Sequence, residues 1–162
     1  MSPDTSETAD LRGGLRLTLD WVGDLVTAVV PAQLANATPC AGWTVHDLLA
    51  HIVGVARRVA VIGQGADPFS VPSEITADAD ADWSDLFAQA DTDIWSVWQD
   101  DATLTRLVTV PPGHQVDGAT ALGQYVTEFL VHGWDLATAT GQVSEGPSPV
   151  AEAALAAARQ FI

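Results

Sequence analysis

Leu48, Ile52, Val55, Val59 and Ile62 recur at spacings of three and four, the period of an α-helix that buries one face. This stripe restricts the fold more than any other feature, because its start is also written in the sequence. Thr44 can cap the helix, Asp47 stands three residues later as a capping box requires, and Trp43 can pack on Leu48 as a hydrophobic staple. Gly63, Gly65, Asp67 and Pro68 then break the pattern. A helix of nearly five turns with one greasy face must be covered by other elements.

The covering elements are visible on either side. Leu11, Leu15, Leu19, Val22, Val26 and Val29 form an earlier helical stripe, which ends at Val30 because Pro31 disfavours the helical state in the residue before it. Residues 64–82, rich in Asp, Pro, Ser and Gly, read as a loop. Asp80 or Asp82 can cap a third helix through Leu86, Ala90, Ile94 and Val97. Leu104, Val108 and Val110 alternate with polar residues before Pro111, Pro112 and Gly113 force a turn, so a short strand pair or an extended loop is expected near 103–117. A fourth long helix follows Asp117 and Gly118 and ends at Gly141, and a fifth starts at Pro149 after Ser148. That last helix is still running at Ile162, so the pattern reads as cut within or just after it. Connections of mixed length between four or five helices predict an all-α bundle with at least one long crossover, in one domain over 1–162.

The charge excludes whole classes of partner. Six Arg, no Lys and 21 acidic residues give a formal net charge of −15, which repels phosphate backbones and anionic membranes. Without Lys there is no Schiff-base nucleophile and no P-loop lysine. Cys40 is the single cysteine, so this chain alone forms no internal disulfide or thiolate-rich zinc site. The polar, acidic Met1–Asp10 stretch does not resemble a signal peptide, and a cytoplasmic protein is expected.

Helical phase sorts the histidines, since each residue advances about 100° around the axis. Relative to Leu48, His51 falls about 60° from the stripe and His46 about 160° away, so His51 is expected to face inward and His46 solvent. On the fourth long helix Glu128 and His132 lie one turn apart, sharing a face with Ala121, Tyr125, Leu136 and Ala139. A carboxylate pointing at a core needs a hydrogen-bonded partner, a proton or a metal. Glu128 and His132 can satisfy each other as neighbours at i and i+4. With His51 arriving from another helix, the two nitrogens and one oxygen also suit zinc or another borderline divalent ion and leave a position open.

Other signals are weaker. Cys40 near the start of the second helix reads as a structural cysteine, and Asp78, Asp80 and Asp82 lack the Gly and Glu of a calcium loop. Arg57 and Arg58 read as an exposed pair that balances nearby carboxylates, although either could guide an anionic substrate. His114 has no geometric argument behind it. Trp134 is placed to bridge its helix to a neighbour.

Two segments carry a family resemblance. Thr38-Pro39-Cys40-Ala41-Gly42-Trp43-Thr44-Val45, continuing through Asp47-Leu48-Leu49-Ala50-His51, resembles the opening signature of the mycothiol-dependent maleylpyruvate isomerase N-terminal domain family, within the DinB-like superfamily. Thr127-Glu128-Phe129-Leu130-Val131-His132-Gly133-Trp134-Asp135-Leu136-Ala137, with Ala139-Thr140-Gly141-Gln142 after it, resembles the second signature. The resemblance implies a DinB-like four-helix bundle holding a divalent metal, commonly zinc, with nickel or another ion also admitted. Its ligand positions fall on His51, Glu128 and His132. It further implies mycothiol or a similar small-molecule thiol as cosubstrate, and an electrophile that accepts it.

The maleylpyruvate isomerase has a second, C-terminal domain for which this chain has no length, so that specific isomerisation is not expected. The expected activity is a thiol-dependent transferase or isomerase-like reaction in which the metal activates the thiol. The alternative is a non-catalytic metal-binding or protein-interaction bundle of the same fold, and a homodimer is allowed.

Overall fold

The computed structural model describes residues 10–158. The acidic residues before Asp10 and the expected run of the last helix to Ile162 lie outside that range. Six helices and one strand pair follow in the order α1 (Arg12–Thr27), α2 (Val45–Gly63), α3 (Trp83–Trp98), α4 (Asp101–Thr105), β1 (Leu107–Val110), β2 (His114–Asp117), α5 (Gly118–Thr140) and α6 (Ser148–Ala158).

The expected caps form. Thr44 accepts from the Asp47 amide while the Asp47 carboxylate reaches back to the Thr44 amide, which satisfies donors that the first turn of α2 would otherwise leave open. Asp82 caps α3 and Asp117 caps α5, and Gly141 closes α5 in the left-handed conformation. The strand pair is antiparallel, with Val108 opposite Val116 and Val110 opposite His114. The short helix α4, which the periodicity did not announce, sits between α3 and β1; Asp100 caps it.

The four long helices make the bundle. α2 packs against α3 and α5, and α1 packs against the same two, so α1 and α2 occupy opposite corners although they are consecutive in sequence. The segments 28–44 and 99–117 are therefore the crossovers that span the bundle diagonals. Leu15, Leu19 and Val22 from α1, Leu48, Ile52 and Val59 from α2, Ile94 and Trp98 from α3, and Leu122, Phe129 and Leu136 from α5 are almost wholly buried in one core. The Trp98 indole donates to the Val59 carbonyl at 3.0 Å, so this large ring is buried without an orphaned N–H.

Two close approaches set where the site lies. A side chain at Gly133 would collide with the Trp21 ring, so glycine lets α1 seat against α5. A side chain at Gly54 would strike the Ser73 backbone, and the Ile75 amide donates to the Ala50 carbonyl at 3.1 Å. The loop after α2 thus folds back along that helix rather than extending into solvent. Among the described residues no helix is long and apolar enough to cross a membrane.

Candidate metal centre

The α2–α5 seam brings three predicted residues together. His51 Nε2 lies 3.2 Å from Glu128 Oε1, and His132 Nε2 lies 3.3 Å from the same oxygen. The two imidazoles stand nearly perpendicular, with centroids 4.8 Å apart. Trp43, partly buried against the core, presents its ring 4.8 Å from His51 and 6.3 Å from His132, forming an aromatic wall.

The charges are coupled. Glu128 is held down at about 2 by hydrogen bonds from His132 and then His51, which outweigh the opposing effect of burial. For His132 burial favours the neutral ring, but Glu128 and Asp135 together more than reverse it and raise its pKa. Glu128 is not the buried carboxylate its helical phase implies. Its side chain is 39% exposed, because α5 faces a cleft there and not the core.

The donor set fits a borderline divalent ion. Four ligands at the corners of a tetrahedron, each about 2.0 to 2.1 Å from zinc, lie roughly 3.3 Å from one another. The two nitrogen–oxygen separations match that edge, and one ligand atom from each of the three residues lies within 4.8 Å of the others. His51 Nδ1 is buried without a hydrogen-bond partner, 3.8 Å from Glu74 Oε1.

Beside the triad opens a cleft of about 220 Å³, bounded by His51, Val55, Arg58, Val110, Tyr125 and Glu128. Burial pushes the Tyr125 hydroxyl up to about 12, so it remains a neutral donor at neutral pH.

Several surface expectations are corrected by the folded-back loop. Arg58 is half-buried rather than exposed; its Nη2 donates to the Val71 carbonyl at 2.7 Å and its Nε is buried without a partner. Arg57 is half-buried as well. His46 does not face open solvent: Nε2 lies 3.0 Å from the Ala77 carbonyl and the ring meets Trp83 edge-on. The corrections at Arg58 and His46 have one cause, since helical phase locates the apolar core but not a polar loop lying on the opposite face.

Other expectations land more simply. Asp78 and Asp80 are exposed, while His114 is exposed at the start of β2 and is not among the cleft residues. Trp134 is 48% exposed. Cys40 is half-buried, and burial together with the Asp135 carboxylate raises its pKa to about 11, so the nearby start of α2 does not make it a thiolate.

Residues 15–137 match the mycothiol maleylpyruvate isomerase N-terminal domain family. The chain belongs to that family. Uncharacterized proteins from two strains of Mycobacterium tuberculosis are each 30% identical over 144 residues, covering 88% of this chain and 74% of theirs. Among solved structures, the mycothiol-dependent maleylpyruvate isomerase superposes with a TM-score of 0.64 at 18% identity, over 76% of this chain and 58% of the isomerase. Its histidine-to-alanine mutant gives 0.67 at 16% identity, over 85% and 63%. A DinB-like protein from Bacillus subtilis gives 0.56 at 16% identity, over 86% and 94%. These likenesses establish the DinB-like helical fold, and the chain spans about three-fifths of the isomerase's length.

Two residues beside the triad were not singled out as site residues by the sequence reasoning. Asp135 is the one charged side chain buried among the described residues, 5% exposed. Its Oδ2 lies 3.1 Å from His132 Nδ1 and 3.1 Å from Cys40 Sγ. The available signal was its i+3 relation to His132, which places both on one helical face.

Proposed function

We propose that this protein is a divalent-metal-binding enzyme, a transferase or isomerase of small molecules that uses a low-molecular-weight thiol and an electrophile. The observation that carries the reading is that His51 and His132 aim Nε2 at one Glu128 oxygen, at tetrahedral edge lengths, beside an open cleft. A zinc-like ion bound there would supply Lewis acidity, lowering the pKa of a coordinated thiol so that it reacts as the thiolate.

The chain's own residues supply the rest. His51, Glu128 and His132 are the ligands, and Glu128 offsets part of the cation's charge. Val55 and Val110 give the cleft apolar walls that thin out water and strengthen electrostatic contacts inside it. Arg58 brings positive charge to a strongly acidic protein at the cleft, which favours an anionic group on the electrophile. Tyr125 offers a neutral hydroxyl that can donate a hydrogen bond without adding charge.

The single cysteine supports a reducing, cytoplasmic setting, and the continuous core from Leu15 to Val150 supports one domain over the described residues.

Elemental mass spectrometry on untagged protein purified without chelator tests the reading. About one equivalent of divalent metal is expected in the native protein and none in His132→Ala. Thiol-dependent consumption of an electrophile by the loaded protein then separates an enzyme from a binding protein. A native protein that holds no metal even after reconstitution would sink the proposal.

A further inference from the structure

Asp135 is a buried carboxylate that the proposed chemistry does not use. Such a group is expensive to keep in a helical core unless its oxygens are satisfied. Both contacts of its Oδ2 lead back to the site: His132 Nδ1 at 3.1 Å, and the Cys40 thiol at 3.1 Å. Cys40 sits on a tight loop. The Thr38 hydroxyl donates to the Cys40 carbonyl and accepts from the Cys40 amide, and the Trp43 amide donates to the same carbonyl. That loop also docks on the end of α5, where Asn36 donates to the Ala139 carbonyl. The thiol is therefore held in place by backbone and does not simply fill a gap.

A neutral imidazole has one N–H and one lone pair. With its N–H given to Asp135, His132 turns the Nε2 lone pair toward Glu128 Oε1, 3.3 Å away. In the metal-free protein a proton bridges those two atoms as the hydrogen bond from His132 to Glu128, and a divalent ion would take that proton's place. We infer that Asp135 is a positioning residue, which locks His132 in the metal-binding tautomer, and that Cys40 clamps Asp135 by donating its S–H to the same oxygen. Carboxylate partners of metal-bound histidines commonly act this way, fixing the ring and making it a better ligand.

The inference rests on the metal reading above, and the experiment separates the two. Zinc affinity is measured by competition with a chromophoric chelator for the native protein, Asp135→Asn, Cys40→Ala and Cys40→Ser, with the helicity and melting of each metal-free protein recorded alongside. The amide in Asp135→Asn would keep the shape and an acceptor while removing the charge, so this variant is expected to bind zinc about tenfold to a hundredfold more weakly. Cys40→Ala is expected to lose about fivefold or less, and Cys40→Ser, which restores a donor, to recover most of that. A merely structural thiol would lower melting in both cysteine variants without this rescue of affinity.

Zinc bound by Asp135→Asn as tightly as by the native protein would overturn the inference and leave the metal reading standing. A second equivalent of zinc in the native protein, lost in Cys40→Ala, would also overturn it, because Cys40, His132 and Asp135 would then be ligands themselves. Should Asp135→Asn fail to fold, equal affinities of Cys40→Ala and Cys40→Ser, both below native, would count against the clamp. A native protein that takes up no zinc removes both proposals.

Discussion

Helix α2 packs against two of the long helices, α3 and α5, and makes two different seams. Against α3 it meets Trp98, whose indole donates to the Val59 carbonyl and whose ring lies against Gly63, with Val59, Ile94 and Trp98 all wholly buried. Against α5 it presents His51, which meets Glu128 and His132 beside a cleft. The first seam is apolar and closed, and its energy comes from removing surface from water. The second is polar and open where His51 lies, so at that point it offers chemistry beside the shared core. One helix can serve both because residues three and four apart share a face while those between them turn to another neighbour.

The comparison predicts that damage at the two seams is separable. The largest effect is expected at the polar seam: His51→Ala should abolish metal binding by the folded protein, as should the corresponding change at His132. At pH above the folded pKa of His132, where the Glu128–His132 coupling has faded, the metal-free variants should unfold nearly as the native apoprotein does, which denaturant titration beside metal analysis would check. At the apolar seam Trp98→Ala should cost about 3 to 5 kcal/mol, while the fraction that remains folded keeps its metal affinity. If Trp98→Ala instead weakened metal binding as much as His51→Ala, the two seams would be one cooperative unit and the distinction would fail.

A smaller effect is expected where α2 begins, before either seam. Thr44→Ala removes a cap and should lower stability by about 1 kcal/mol, read from the denaturant midpoint, with the metal site intact. The pH dependence of the metal-free protein sharpens the contrast further. Glu128 has its pKa depressed to about 2, so it adds stability above the unfolded value of about 4.3, which is lost as pH falls toward 2. His132 has its pKa raised, so its contribution is complete below about 6.5 and fades as pH rises through the folded value. The seam should therefore stabilise the apoprotein most between those limits, and His132→Ala should flatten the profile in urea titrations across pH. The smallest effect is expected at His46→Ala, which should leave metal content unchanged because its ring contacts Ala77 and Trp83 and lies outside the triad.

Much of this architecture is local information. The caps at Thr44, Asp82 and Asp117 and the stop at Gly141 follow from side chains a few residues from the backbone groups they satisfy. The inward turn of His51 and the shared face of Glu128 and His132 follow from the helical angle alone, which is why the triad was legible before any packing was known. The family signatures pointed to the same three positions. The short helix α4 was missed because one turn leaves no period to detect.

By itself, then, the sequence determined an all-α bundle, its element boundaries to within a few residues, and three residues able to converge on one ion. Tertiary structure alone decided what surrounds them. The return of the 64–82 loop along α2 brought Arg58 to the cleft and covered His46, and the docking of the 36–44 loop on α5 placed Cys40 against Asp135. Helical phase is set by covalent geometry within each segment, whereas these contacts join residues far apart in the chain and exist only once the bundle has closed.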